Sequence, residues 1–420
     1  MLKQISFIGL SHLSLVHCAV YSKFAKKIVC YDNDRNLIAD LDKLKIAFEE
    51  PKLKFLLKKN KKKILFTDKI YKVLPSDIIY IGIDIATNSK NQLKLKKLNF
   101  FCNQILKLKL KKNTSLVFLS QVPPGFTETF SKKVNNKVFY QVETLIFGNA
   151  VKRAENPERF IIGSKHSNIN DIKYLNFLKK FRCPVLNMDY RTSELSKIAI
   201  NIMLISTSMT ANYLSIISEN LNFNWLKIIE ALKLDKRIGK YSYIYPSLGL
   251  SGGNLERDLN TLKEIANKNI INTSIINSWK KISDLRKKWV QLQLTSLNKK
   301  LKQKNILIFG LSYKENTNSL KNSNSLETIK KFKNLRFSGY DPNVKITNLK
   351  NFKFINLEKN ILKKFKIFII FNKSKEFKNF FEKFKKNIKG KHILDPYDIL
   401  KDTNLSKLNT IITLGKYNEK

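Results

Sequence analysis

Short apolar runs alternate with amphipathic helical stretches twice along this chain, at residues 4–9, 27–31, 78–83, 115–119 and 137–141, and again at 304–310, 336–340, 366–371 and 392–394. No other feature restricts the fold so strongly. Parallel strands cannot be joined by a tight turn and need a crossover, usually a helix, so a repeated strand-helix-strand rhythm predicts a parallel sheet covered by helices. Between the two regions the apolar period lengthens to that of a helix over 193–221 and 271–302, with a glycine-rich loop at 248–253. The expected architecture is two doubly wound, parallel-sheet α/β domains joined by a helical central domain, with boundaries at 1–188, 189–303 and 304–420.

A chain of 420 residues is long enough for two or three cores that need neither disulfides nor metals. Cys18, Cys30, Cys102 and Cys183 are widely spaced and form no CxxC pair, so neither a disulfide framework nor a metal site is expected. The longest apolar runs, such as 367–371, are strand-length, which predicts no membrane span. The amino terminus enters a strand-like run at once, without the basic, apolar and small-residue succession of a signal peptide, and the expected compartment is the cytoplasm.

A formal charge of +46, from 79 Lys and Arg against 33 Asp and Glu, raises the prospect of nucleic acid or an anionic membrane as partner. The excess is nearly all lysine, however, spread from end to end with heavy use of Ile, Asn and Phe, the pattern of compositional drift. With no concentrated basic helix and no RNP-like aromatic motif, a nucleic-acid partner is not expected. A small polyanion would feel the same field.

Gly9-Leu10-Ser11-His12-Leu13-Ser14 follows the first apolar run and opens a helical one, and the next apolar run ends at Asp32. This is the setting of a Rossmann-like dinucleotide fingerprint. Gly9 permits a tight turn, the helix N-terminus offers N–H groups to a pyrophosphate, and Asp32 can accept from the adenosine ribose, which favours NAD over NADP. The second and third glycines of GxGxxG are Ser11 and Ser14, so the backbone stands further from the pyrophosphate and the helix packing must admit a hydroxymethyl group. Taken alone, the motif fits a plain strand-to-helix turn capped by Asp32 equally well.

FIGLSHLSL, VCYDND, SQVPPGF, PERFIIG, ELSKIAIN, LDKRIG, GLSGGNLERDL, FGLSYKENTNSLKNS and GYDP then occur in that order. In order and spacing they resemble the UDP-glucose/GDP-mannose dehydrogenase family over nearly the whole chain, residues 3–399. The resemblance implies NAD as cofactor, a nucleotide sugar as substrate, and a homodimer built on the middle helices, which carry Trp225, Trp279 and Trp289. It places Gly9, Leu10, Ser11, Leu13 and Asp32 on the cofactor, together with Gln121, which stands where the family has Thr before the Val122-Pro123-Pro124-Gly125 loop.

The string QVETLIFG, residues 141–148, resembles the family's NPEFLxEG loop and keeps Glu143 while Phe147 replaces the second acid; the implied role of Glu143 is a general base or proton acceptor. In ELSKIAIN, Lys197 and Asn201 stand four residues apart and so share a helix face. The resemblance directs them at the reacting carbon, where an ammonium and an amide would stabilise a developing alkoxide. GLSGGNLERD resembles GYGGSCFPKD, with Asn254 at the position of the nucleophilic cysteine, Gly252 and Asp258 retained and Arg257 at the usual Lys position, which implies loop-wrapping for Gly252, phosphate-holding for Arg257 and proton-handling for Asp258. GLSYKENT resembles GLAFKPNT, which puts Lys314, and beyond it Lys321 at a common Arg position, on the diphosphate. Tyr340-Asp341-Pro342 reads as a structural turn.

In the family the thiol captures the aldehyde left by the first hydride transfer, the second transfer gives a thioester, and water releases the acid. An amide cannot repeat that covalent sequence. Three outcomes stay open: a reaction that stops at the 6-aldehyde, one that reaches the acid through the hydrated aldehyde, and binding of a nucleotide sugar without turnover.

Overall fold

The computed structural model describes residues 1–87, 93–346 and 348–416, and the chain forms two compact units, Met1–Ile200 and Asn201–Lys420. In the first unit, β1 (Leu2–Ile8), β2 (Ala25–Tyr31), β3 (Ile64–Thr67), β4 (Ile78–Ile81), β5 (Ser115–Phe118), β6 (Lys137–Gln141), β7 (Phe160–Ser164) and β8 (Val185–Asp189) make one sheet in the order β8-β7-β6-β5-β4-β1-β2-β3. Its pairs are parallel except β6 with β7. Helices α1 (His12–Tyr21), α2 (Arg35–Asp42), α3 (Leu53–Lys59), α4 (Lys96–Leu106), α5 (Phe126–Ser131), α6 (Ala150–Glu155) and α7 (Ile172–Lys179) follow the strands in turn. Two apolar clusters fill the two faces, one around Phe7, Leu15 and Phe177, the other around Ile79, Phe101 and Phe118. Strands buried on both faces, such as Ile78-Ile79-Tyr80-Ile81, read as unbroken apolar runs rather than as alternation.

Helix α8 (Tyr190–Asn220) carries the chain into the second unit, and α9 (Trp225–Leu234), α10 (Asn254–Lys268), α11 (Ser274–Lys287) and α12 (Trp289–Leu301) complete the helical stretch. The helix predicted over 271–302 is two helices that meet at Lys288. Strand-length apolar runs suggested nothing able to cross a membrane, yet α8 is long and apolar enough to do so, with a mean hydropathy of 1.3. Ser, Thr and Asn break up its apolar residues, so no single run reveals it.

The remainder alternates again: β9 (Asn305–Phe309), α13 (Asn324–Lys331), β10 (Arg336–Tyr340), β11 (Phe352–Phe354), β12 (Ile367–Ile370), α14 (Lys375–Lys383), β13 (His392–Leu394) and β14 (Thr410–Ile412). Its sheet is all parallel in the order β11-β10-β9-β12-β13-β14. The two sheets therefore share one winding, and the first is extended by two strands at one edge. In open sheets of this kind ligands bind beyond the carboxyl ends of the strands where the order reverses, between β1 and β4 and between β9 and β12.

Within the second unit the chain's last turn is pinned to the helices. The Trp225 N–H donates to the Gly415 carbonyl at 2.8 Å, and the Gly415 N–H donates to Glu219 at 2.6 Å. Glu219 in turn accepts from the buried Arg286 guanidinium at 2.9 and 3.0 Å. Trp225 and Trp289 are buried and Trp279 packs beside Ile205 and Met209, so the tryptophans serve this unit's own core. The apolar surface left on α8 includes Met203 and Tyr213, exposed to 66% and 53%, with Leu214 and Ile217 beside Tyr213.

Candidate active site

β1 ends in a turn at Gly9, whose φ of +80° suits glycine and where a Cβ would lie 2.4 Å from Ile83. The Gly9 N–H donates to the Tyr31 carbonyl at 2.9 Å, and the Leu10 N–H donates to Asp32 Oδ2 at 2.9 Å. Asp32 is fully buried, and its Oδ1 accepts from the Asp34 N–H at 3.2 Å. The second unit repeats the device. Gly310, with φ of +97°, donates to the Tyr340 carbonyl at 2.8 Å, and the N–H groups of Leu311 and Ser312 donate to Asp341 Oδ2 at 2.7 and 2.9 Å. Asp32 and Asp341 thus fix equivalent turns, and a carboxylate, with about four lone-pair sites, retains acceptor capacity for a ribose hydroxyl.

The two serines in the fingerprint have a common partner. Ser11 caps α1, and its Oγ donates to the Gly82 carbonyl at 2.5 Å; Ser14 Oγ donates to the same carbonyl at 2.9 Å. A Cβ on Gly82 would lie 2.2 Å from Ser14 Oγ. The hydroxymethyl group at the third glycine position is therefore received by a glycine on the neighbouring strand end. Gly82→Ala is expected to destabilise the fold by about 1–3 kcal/mol through this overlap, and adding Ser14→Gly should recover part of the loss. Denaturant melts arranged as a double-mutant cycle measure the coupling; strictly additive losses would contradict the pairing.

Gly125, with φ of +94°, ends the Val122–Gly125 loop. Its N–H donates to Glu194 Oε2 at 2.5 Å, and the Thr127 N–H donates to Oε1 at 2.8 Å. Burial pushes the Glu194 carboxyl up in spite of the donors from Thr127 and Gly125. This residue, passed over in the sequence, ties the loop that follows the buried Gln121 to the helix that presents the half-buried Lys197 three residues later.

Glu143 is not a free surface acid. Its Oε2 lies 3.0 Å from His17 Nε2, and its Oε1 accepts from Gln141 Nε2 at 2.6 Å. With Tyr21 and Arg153 it borders a cavity of about 30 Å³, room for little more than a water molecule. Further along the loop, the N–H groups of Gly148 and Ala150 donate to Glu50 at 2.9 and 2.8 Å, and the Phe147 ring stacks on His12 with centroids 4.0 Å apart. Neither Glu50 nor His12 was singled out from the sequence.

In the second unit, Asn254 is the exposed first residue of α10, directly after Gly253. One turn on, the fully buried Asp258 accepts from Asn201 Nδ2, and from Arg257 Nε at 3.1 Å. The helix face that carries Asn201 is thereby joined to the glycine loop, and Arg257 is turned onto its own neighbour. A Cβ on Gly252 would lie 2.9 Å from the Tyr313 ring, and one on Gly253 2.7 Å from Lys321 Nζ. These glycines let the loop approach the turn after β9, where Lys314 Nζ also stands 5.6 Å from the Tyr313 centroid. All four cysteines lie in the first unit, so no thiol belongs to the unit that holds Asn254.

The first turn and helix fit a dinucleotide: a strand-ending glycine at φ > 0, a ten-residue helix that starts directly after it with Ser11 as its cap, and a buried carboxylate that closes the next strand. Family models agree region by region. The NAD binding domain of the UDP-glucose/GDP-mannose dehydrogenase family matches residues 3–177, its central domain 191–284 and its UDP binding domain 307–402. The UDP-glucose 6-dehydrogenase of Campylobacter jejuni is 28% identical over 369 residues, 84% of this chain and 90% of that one. That of Rickettsia prowazekii is 26% identical over 434 residues, 96% and 97% of the two chains. A UDP-glucose dehydrogenase from Pyrobaculum islandicum superposes with a TM-score of 0.85 at 19% identity, covering 99% of this chain and 98% of that one. A UDP-D-ManNAc dehydrogenase from Pyrococcus horikoshii does so with 0.83 at 18%, covering 99% and 100%. These two likenesses establish the fold, and with all three regions matched the chain belongs to the UDP-glucose/GDP-mannose dehydrogenase family, NAD-dependent oxidoreductases of nucleotide sugars.

Proposed function

We propose that this dehydrogenase oxidises the C6 hydroxyl of a UDP-glucose-like nucleotide sugar and releases the 6-aldehyde. The observation that carries the reading is Asn254 at the start of α10 in a unit without any thiol. The loop around Glu143 supports it, since the second acid of the family pattern is missing from it. Phe147, stacked on His12, supplies no acid in its place.

In this reading Lys197 and Asn201 stabilise the alkoxide as it forms, and Asp258, which holds Asn201 and Arg257, takes up the proton. Lys314, Lys321 and Arg257 meet the diphosphate, with Gly252 allowing the loop to close on it. Gly9, Leu10, Ser11, Leu13, Asp32 and Gln121 hold NAD, which when bound accepts the hydride. The domain limits 1–188, 189–303 and 304–420 bracket the three matched regions. The apolar stripe of α8 supports a homodimer, and relatives that are dehydrogenases of nucleotide sugars support a cytoplasmic site of action.

The test mixes the protein with NAD and a panel of UDP- and GDP-sugars, follows NADH by absorbance and identifies products by mass spectrometry. One NADH per aldehyde is expected. Two per acid would refute the stop at the aldehyde. No NADH while both ligands bind by calorimetry would favour a binding protein, a reading to which the departures at Ser11, Ser14, Gln121, Phe147 and Asn254 lend weight.

A further inference from the structure

The stretch that follows β5 has few ways of holding itself in place. Ser120 is tied to β4 and its end, donating its N–H to the Ile81 carbonyl at 3.3 Å and accepting from the Ile83 N–H on Oγ at 2.7 Å. Pro123 and Pro124 then contribute no N–H. They border a cavity of about 840 Å³, bordered also by Asn99, Cys102 and Leu106 of α4, which leaves the loop room to shift. Gly125 carries the first N–H after the prolines, and as the N-cap of α5 it has no side chain with which to cap that helix. Glu194 supplies what the local sequence lacks: its two oxygens accept from the Gly125 and Thr127 N–H groups, so α5 is capped from another helix.

The carboxylate stands on a fixed post. Tyr190 Oη donates to the Val138 carbonyl of β6 at 2.9 Å, Ser193 Oγ donates to the Tyr190 carbonyl at 2.8 Å, and Gly163 of β7 makes room for Ser193, which a Cβ there would overlap. The first turn of α8 is thereby seated on the sheet, with Glu194 fully buried on it and Lys197 three residues further. Only an ionised acid offers an acceptor on both arms, since Gln would turn a donor toward one of the two N–H groups. A buried carboxyl is a costly cap for a six-residue helix, which points to a need for the loop to stay where it is. Asp32 closes β2 on one side of β1, and the loop after β5 lies on the other, so a dinucleotide with its adenosine at Asp32 brings its nicotinamide toward this loop. We propose that Glu194 is a positioning residue for hydride transfer, holding the loop that begins with Gln121 against the nicotinamide and in fixed register with Lys197. The inference rests on the cofactor role of Gln121 and the alkoxide role of Lys197 in the proposed function.

The test uses the full chain with Glu194→Gln, which keeps the shape of the side chain and loses one acceptor. Calorimetry with NAD and with ADP-ribose, which lacks the nicotinamide, separates the two ends of the cofactor. ADP-ribose affinity is expected to stay as in the parent protein, which also shows that the fold stands, while NAD affinity falls about three- to tenfold, the worth of one hydrogen bond. In turnover of the sugar that the parent oxidises, kcat should fall about 10–100-fold, as for a reacting group displaced by about 1 Å. The proposal is overturned by NAD and ADP-ribose affinities that both stay unchanged, by an equal fall in both, which would mean a packing role, or by an unchanged kcat. A parent protein that makes no NADH with any sugar would sink the dehydrogenase reading, and the contrast between NAD and ADP-ribose would still decide the role of Glu194. If Glu194→Gln does not fold, Glu194→Asp, whose arm is one methylene shorter, carries the same comparison with the same outcomes.

Discussion

Replacing Lys197 with alanine is expected to lower kcat for nucleotide-sugar oxidation by about 10²–10³-fold, the usual cost of one preorganised donor aimed at developing charge, with NAD affinity unchanged. Lys197 lies on α8, three residues after Glu194, whose carboxylate takes the N–H groups of Gly125 and Thr127. It lies four residues before Asn201, whose amide is held by Asp258. The Glu194 carboxylate holds this turn of the helix in the first unit, so the deleted group is the ammonium rather than the scaffold. A loss confined to the transition state lowers kcat and kcat/KM together, whereas removing a ground-state interaction raises KM alone. Lys197→Arg should rescue little, because a planar guanidinium does not present a compact point charge at the same place. Steady-state kinetics with calorimetric NAD binding decide the matter. A drop in kcat smaller than about tenfold would remove Lys197 from the chemistry.

The architecture was legible because strands buried on both faces of a parallel sheet read as apolar runs between turn residues. The strands that escaped notice include Ile64–Thr67, which follows three lysines, Phe160–Ser164 and Val185–Asp189 at one edge of the first sheet, and the three-residue Phe352–Phe354 and Thr410–Ile412. Motif strings marked the candidate residues of each unit, yet the partners that hold them in shape were hidden by distance along the chain. Glu50 meets Gly148 across 98 positions, Glu194 meets Thr127 across 67, and Ser14 meets Gly82 across 68. Nothing local marks such a partner, since its residue type makes sense only once the other chain segment is beside it. Ser14 illustrates the point: as a departure from GxGxxG it weakens the fingerprint, and beside Gly82 it is a compensated exchange. Asp32 and Asp341 illustrate another. The sequence assigned one to a ligand and the other to a turn, but both carboxylates accept the N–H of the leucine after a strand-ending glycine. Residue type and place in a motif do not reveal how many partners a side chain already has.

Asn254→Cys is expected to change the product rather than the rate, from aldehyde with one NADH to acid with two. The substitution adds a thiol at the first position of a fifteen-residue helix, where the N-terminal field lowers a thiol pKa and raises its thiolate fraction. Asn254 is exposed, so the smaller side chain leaves no cavity. The new thiol can be counted against the four native ones. Cys18, Cys30 and Cys102 are buried, and burial pushes Cys102 up to about 12 and Cys183 upward as well. Iodoacetamide at neutral pH should therefore alkylate the introduced thiol first. If it labels rapidly and the product remains the aldehyde, the second barrier is Glu143, which accepts from Gln141 and has its other oxygen 3.0 Å from His17 Nε2. Adding His17→Ala would then release that oxygen to serve water. Acid formation in the double variant but not in Asn254→Cys would show that two independent changes close the second half of the reaction. Acid from the unaltered protein would show that neither does, and that the hydrated aldehyde is oxidised directly. Aldehyde from every variant, with the thiol reactive throughout, would mean that the start of α10 does not meet the reacting carbon, and the reading built on Asn254 would fall.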